Sequence, residues 1–521
     1  MNLTKTDEQN DIIEDDGDSV INAVAGSGKT FTLVEKVKRH PDRRFLYVVY
    51  NRPAKNEAIR KFLSAGISNA RIETAHSLAY REMDVRNRYT LSESGNLKAY
   101  DIVKLCNIRP KQANPVYHLI LARHVQKLLT LYCNSDEQKL AGIDYLATIC
   151  DVKAADFVRN HYDKIYGHAR DILTRMYTSK VPIIHDAYLK FWQLTAPVLP
   201  YSDVLFDEGQ DASPVMLDVF LKQDVRKCIV GDRHQQIYRF RSAVNSLDKV
   251  DFQRFNLSTS FRFPQEIADL AMKTLRLKKR LGLLEEEPDI KGVGICDELD
   301  SYAVLARSNL KLLDRAIEVV INGTKRIHFE GDLNSYAYAS EGGSLYDILY
   351  LRLCQPQKIR DEFVRSFASF SALQDYISQA EDNELSLMVE IVNKYGSSLW
   401  DYMRLLKECQ VPKESADVIF STVHKAKGAE YDQVEVCQGF ITGDKINSIL
   451  ATSKYNKEKN LDMEALAEEV NILYVCITRT KNDLLMDFDV ETGNTGNSQT
   501  FDGLPVGNDT LHEKVRLGGV F

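Results

Sequence analysis

The sequence predicts an α/β protein built from two parallel-sheet domains, each carrying a helical insertion. Three observations carry that expectation. Ala23 to Thr30 reads AVAGSGKT; it follows a short apolar run and opens a helical pattern, the strand–loop–helix order of a phosphate-binding loop. Short apolar runs ending in polar motifs recur at 45–50, 71–74, 203–206 and 227–230, and again at 301–306, 417–422 and 433–437. Their alternation with helical patterns is that of βαβ units. Residues 85–200 and 331–414 break the alternation and repeat apolar residues at helical spacing.

The first domain opens the chain (1–84). Its loop needs several backbone N–H groups close to two phosphates, which Gly26 and Gly28 permit because they lack a Cβ. Ala23 stands where the pattern has its first glycine. Lys29 supplies a cation for the β- and γ-phosphates, and Thr30 a hydroxyl for Mg²⁺. The following helix aims its positive end at the same anion. Thr6 and Gln9 have capping-box spacing; the Gln9 amide also suits an adenine edge, and spacing alone favours the cap. The strand at 45–50 ends at Tyr50 and Asn51. The one at 71–74 runs into TAHSLAY, whose His76 suits a catalytic base, a metal ligand, a ligand contact or a structural hydrogen bond.

The first insertion (85–200) shows helical spacing at 117–131 and 155–176. Its basic residues Lys111, Arg123, His124, Lys127, Arg159, Lys164, Arg170 and Arg175 either line a groove or form a solvated face, the latter being the default. The first domain resumes at 201–254. An apolar run ending in Asp207-Glu208 is the second half of a phosphate-loop ATPase. Asp207 is expected to hold Mg²⁺, largely through water, and Glu208 to orient and deprotonate the attacking water. Gln235 is an amide near a strand end, suited to sensing a γ-phosphate. Tyr238 and Phe240 alternate with Arg239 and Arg241, as in a base-stacking platform; the alternative is that both aromatics are core.

The second domain takes up residues 255–330 and returns at 415–490, around a smaller insertion (331–414) with helices expected at 344–353, 359–370 and 384–394. Its motifs are STSFRFP, VHKAKGAE and a helical run from Glu468 to Arg479. An arginine there can reach across a cleft to the γ-phosphate. Residues 491–521 read as a tail rich in Gly, Asn and Thr.

Composition sets outer limits. The chain has 521 residues, 44% hydrophobic and 27% charged, ordinary for a globular protein of three or four domains. No apolar run approaches membrane-spanning length, and the N-terminus does not read as a signal peptide. Nine scattered cysteines without a C-x-x-C pair point to a reducing compartment without a zinc or iron–sulfur cluster. The net charge of −7 gives no global basic signature, so groups that meet nucleic acid must be local to a groove.

In order, Gln9, AVAGSGKT, YNRPAKNEA, TAHSLAY, DEGQD, GDRHQQIYRFR, SFRF, LARSN, STVHKAKGAEYD and EEVNILYVCITRT together resemble superfamily 1 DNA helicases of the UvrD/Rep type. HDAYLKFWQL, SFRF and ILYV look most like the helicase part of the F-box DNA helicases and their bacterial and phage relatives. Gly209 stands where that family usually has alanine, and no F-box is expected ahead of a motor that starts at Gln9.

The resemblance implies two RecA-like domains with ATP and Mg²⁺ between them. It makes Lys29, Glu208, Gln235, Arg262 and Arg479 the catalytic set and Thr30 and Asp207 the metal ligands. Gln9, Ala25, Gly26, Ser27, Gly28, Lys29, Thr30, Phe261 and Glu430 become the nucleotide contacts, with Gln9 on adenine and Phe261 stacked against it. Tyr50, Asn51, His76, Tyr238, Phe240, Arg241, Thr422 and His424 become DNA contacts, with Thr422 and Glu430 linking DNA to the cleft. The expected activity is ATP-driven 3′→5′ translocation on single-stranded DNA with strand separation, in repair, recombination or replication. Expected partners are single strands, single/double-strand junctions, and recombinase or single-strand-binding proteins, with no membrane. A translocase that strips recombinase filaments and an ATP-gated sensing module of a repair or defence complex stand as alternatives. The resemblance also implies a cytoplasmic place in a bacterial or phage-infected cell.

Overall fold

The computed structural model describes residues 5–93, 95–238, 245–284, 286–295, 299–323, 326–331, 333–339, 343–455 and 462–494. Its strands are β1 (Ser19–Ala23), β2 (Phe45–Val49), β3 (Ala70–Thr74), β4 (Asp203–Phe206), β5 (Arg226–Gly231) and β6 (Gln253–Leu257). Next come β7 (Thr259–Ser260), β8 (Lys291–Gly292), β9 (Tyr302–Ala306), β10 (Ile327–Phe329), β11 (Val418–Thr422), β12 (Tyr431–Val436) and β13 (Thr480–Met486). The first six form one sheet in the order β3-β2-β4-β5-β1-β6, and the last five another in the order β10-β11-β9-β12-β13. Every neighbouring pair in both sheets is parallel.

The central strand β2 (FLYVV) is buried along its whole length because both sheet faces are covered. In β2, Leu46 and Val48 join the core shared with the helical insertions, while Phe45, Tyr47 and Val49 pack into a second core on the other face. In β9, Val304 and Ala306 face the first of these cores, and Ala303 and Leu305 face the helix Met463–Ile477. This is the two-residue alternation of a strand, spent on two hydrophobic layers. Parallel pairing brings the C-terminal ends of β1, β2, β4 and β5 to one edge of the first sheet, where ligands bind in open α/β sheets.

Helices replace strands between β3 and β4, chiefly Tyr117–Asn134, Val152–Tyr177 and His185–Leu194. A second set lies between β10 and β11: Leu345–Arg352, Phe370–Ala380, Asn383–Tyr395 and Leu399–Glu408. The two sets touch, because Phe370–Ala380 packs on both Tyr117–Asn134 and Val152–Tyr177.

Three sequence expectations need correction. The helix expected over 359–370 shrinks to Glu362–Arg365; the Ser369 side chain accepts the Ala372 N–H and starts a new helix there. The first sheet runs past residue 254, since Gln253–Leu257 pairs with β1. The basic residues of the first insertion do not all lie on a groove or a solvated face. His124 is fully buried, with Nδ1 2.7 Å from the Tyr145 hydroxyl and Nε2 2.9 Å from Gln379 O. Lys127 donates to Glu381 O at 3.1 Å, and Arg123 lies 3.5 Å from Asp382. These three residues bind the second insertion, a partner at long sequence separation.

Candidate active site

The loop after β1 is shaped by two left-handed glycines, Gly26 (φ 77°) and Gly28 (φ 79°). A Cβ on Gly26 would lie 2.5 Å from Arg262 Cβ and 2.7 Å from Ser260 Oγ, so glycine is also what lets the SFRF stretch close on this loop. The Phe261 N–H donates to Gly26 O at 2.9 Å. Helix Lys29–Lys38 begins where the loop ends.

The loop lines a cleft of about 680 Å³ that both sheets enclose. From the first sheet come Ala25 to Thr30, Tyr50, Asn51, Asp207, Glu208, Asp211, Gln235 and Tyr238, with Arg262 from the segment after it. Lys427, Glu430 and Arg479 come from the second. Lys29 Nζ lies 3.0 Å from Glu208 Oε1, and Gln210 Nε2 donates to Glu208 Oε2 at 2.5 Å. Burial works against the Glu208 carboxylate, but Lys29 and then Lys427 outweigh it and hold its pKa down to about 2. Asp207 goes the other way: burial and the neighbouring Glu208 charge raise it. The Tyr47 hydroxyl donates to Asp207 Oδ2 at 2.6 Å and is also hydrogen-bonded to Thr30.

Two arginines also line the cleft. Arg479 is 2% exposed and donates to Val475 O at 3.1 Å and Ala429 O at 3.3 Å, with Gln235 Oε1 at 3.5 Å. Burial, then the nearby Arg262 charge, lowers its pKa to about 10. Arg262 donates to Glu430 Oε1 at 2.5 Å and to Thr478 O at 2.8 Å. Gln235 donates to Asp232, which also accepts from the buried Tyr474 hydroxyl.

The cleft fits a magnesium–nucleotide. Ser27 Oγ is buried with no hydrogen-bond partner among the described residues, and glycines, a lysine, a hydroxyl and two carboxylates meet at one point. Mg²⁺ is usually held by one or two protein oxygens plus phosphates, and the cleft lining offers the Thr30 hydroxyl and the Asp207 carboxylate as oxygens of that kind.

The remaining expected residues divide. Gln9 makes the capping box with Thr6, and its Nε2 reaches Ser27 O at 3.4 Å, so it caps one helix and braces the loop together. Phe261 is 41% exposed beside the loop. Tyr50 and Tyr238 stack at 5.8 Å and 11°. The Tyr238 hydroxyl donates to His424 O at 3.0 Å, so these three gather where the sheets meet. Burial, then Arg307, lowers the His424 pKa to about 4. Asn51 caps helix Arg52–Ser64 with its side chain, and Thr422 is the buried end of β11. His76 lies apart, 3.6 Å from Asp186 and edge-on to Tyr188. Phe240 and Arg241 lie outside the described residues. The sequence does not single out Tyr47, Asp211, Lys427 or Tyr474; the last three fall within its motifs, but nothing in the order of residues pairs Asp211 with Lys427.

The UvrD-like helicase C-terminal domain matches residues 298–490. F-box DNA helicase 1 of Gallus gallus is 29% identical over 515 residues, covering 90% of this chain and 47% of that protein. F-box DNA helicase protein 1 of Schizosaccharomyces pombe is 26% identical, covering 90% and 55%. The Gabija protein GajB of Bacillus cereus is 23% identical over 350 residues, covering 56% and 64%. The chain spans about half the length of the two F-box relatives it matches. No helix among the described residues is long and apolar enough to cross a membrane. The chain is thus similar to UvrD-like helicases over residues 298–490 and, over most of its length, to the F-box DNA helicases.

Proposed function

We propose that this chain hydrolyses ATP to move along single-stranded DNA and separate duplex strands. The observation that carries the reading is the cleft itself. Lys29, Asp207 and Glu208 come from one sheet and Arg479 from the other, so a triphosphate between them draws the two together. Phosphate offers Lys29 an anion in competition with Glu208, leaving Glu208 to orient and deprotonate water. Bound Mg²⁺ would supply charge neutralisation on the phosphates, with Thr30 and Asp207 as its protein oxygens. Gln235 and Arg479, already within hydrogen-bond reach of each other, are suited to register the γ-phosphate, and Arg262 to add a second positive charge. Gln9 and Phe261, beside the loop, would meet adenine in this reading.

Tyr50, Tyr238 and His424 form the single-strand contact in this reading, with bases stacking on the tyrosines. The resemblance to UvrD/Rep enzymes supports 3′→5′ movement, and work in DNA repair, recombination or replication. The test is ATP turnover with and without single-stranded DNA, followed by unwinding of duplexes tailed at either end. DNA-stimulated turnover and unwinding from a 3′ tail alone are expected. Unwinding only from a 5′ tail overturns the polarity, and turnover indifferent to DNA overturns the motor.

A further inference from the structure

We propose that Lys427 is a positioning residue that ties the nucleotide cleft to the single-strand contact through its ion pair with Asp211. The inference rests on the motor reading above and names the link that such a motor requires.

Lys427 belongs to the second sheet domain, one residue past the helix Val423–Ala426 and just before the left-handed Gly428 (φ 87°). Its three N–H donors point back at the first domain. Nζ lies 2.5 Å from Asp211 Oδ2 and 2.6 Å from the backbone oxygen of Gln235, and 4.8 Å from the centre of the Tyr238 ring. One ammonium therefore touches the loop after β4, the loop after β5 and the aromatic at the junction of the sheets. The loop after β4 also carries Asp207 and Glu208, and the Lys427 charge is second only to Lys29 among those that keep Glu208 ionised. Gln235 in turn holds Arg479 at 3.5 Å. Movement of Tyr238 or of the second sheet must shift this ammonium relative to both catalytic loops.

Stability alone explains the pair poorly. Its side chains are 10% and 1% exposed, and a buried ion pair is often no more stabilising than apolar residues of the same size. Asp211 Oδ1 is also buried without a hydrogen-bond partner among the described residues, so desolvation of the carboxylate is incompletely offset. A link between two domains that must separate and close gains from such an arrangement, because its contacts are lost together.

The experiment measures ATP turnover of the full chain with and without a single-stranded oligothymidine. It compares the unsubstituted chain, Lys427→Met, Lys427→Arg, Asp211→Asn and the Lys427→Met/Asp211→Asn double variant. Methionine keeps the apolar stem and removes the charge; asparagine keeps the shape. The expected result is about a tenfold loss of DNA stimulation in Lys427→Met and in Asp211→Asn, with no further loss in the double variant. Lys427→Arg should recover much of it, and nucleotide and single-strand affinities should each change far less than the stimulation. Should Lys427→Met fail to fold, Asp211→Asn reads the same link from the other side. Stimulation retained in Asp211→Asn, or independent additive losses in the double variant, overturns the inference. No stimulation in the unsubstituted chain overturns the motor reading itself, which the other arms cannot imitate.

Discussion

Glu208 shows how a single side chain is aimed by its backbone. Its backbone is left-handed (φ 54°), a conformation that costs a non-glycine residue free energy and is retained where surrounding structure enforces it. That turn directs the carboxylate to Lys29 and Gln210. Glu208→Gln should keep nucleotide binding and lower turnover by about 10²–10⁴-fold, because an amide cannot take the proton from water. Steady-state turnover with a separate nucleotide-binding titration checks this, and lost binding would give Glu208 a different role. Arg479 is positioned by two carbonyls and an amide, with the Glu430 and Glu208 charges acting on it from further off. Arg479→Ala should reduce turnover by about 10³–10⁵-fold, the range for arginine fingers. Nucleotide affinity should fall far less; comparable losses in both would make it an ordinary ground-state ligand.

At the scale of elements, β3 shows how a sheet edge is fixed. Glu73 is buried on this strand and accepts from Lys55 at 2.5 Å, Ser77 at 2.6 Å, Arg71 at 2.9 Å and Arg81 at 3.0 Å. It thus ties together helix Arg52–Ser64, β3 and helix Ala75–Glu82. Burial opposes its charge, but Lys55, Ser77 and Arg71 outweigh that and bring the pKa down to about 2. Since the folded value is depressed, the stabilisation is present above the unfolded carboxylate value and is lost as pH falls through about 2. Glu73→Gln should cost about 1–3 kcal/mol at neutral pH, and the gap to the unsubstituted chain should narrow from about pH 4 downward. Denaturant unfolding across that pH range measures it; a gap independent of pH would assign the effect to packing. Elements of this kind were largely legible in the sequence. Apolar runs such as FLYVV and VIFST declare buried strands, and their polar ends declare the cleft. The expected helix over 359–370 failed because its apolar spacing continued through Ser366 and Ser369, which favour caps over helix interiors. The partners of Asp211 and Lys427 were not legible, because a pair 216 residues apart leaves no trace in local periodicity.

The whole molecule adds a contact that no single element contains. The two helical insertions meet at Glu381, whose backbone is left-handed (φ 48°). Its Oε1 accepts from the Cys150 N–H at 2.8 Å and the Asp151 N–H at 2.6 Å, just ahead of helix Val152–Tyr177. Its other carboxylate oxygen lies 3.4 Å from Lys127 Nζ. A side chain of the second insertion therefore holds the backbone at the start of a helix of the first, whose N-cap is Asp151, and its charge lies where the N-terminal end of the helix dipole favours an anion. Around it, Asp382 faces Arg123 and Gln379 O faces His124. Losing these hydrogen bonds costs about 1–3 kcal/mol, while the apolar core that runs through both insertions stays in place. Glu381→Ala should therefore loosen the contact between the insertions without unfolding either. Limited proteolysis should cut earlier near residues 148–152, while the melting temperature falls by only a few degrees. A distance probe spanning the helices Tyr117–Asn134 and Phe370–Ala380 should broaden. If proteolysis and distance stay as in the unsubstituted chain, the apolar packing of Phe370–Ala380 holds the insertions together and the carboxylate is incidental to it.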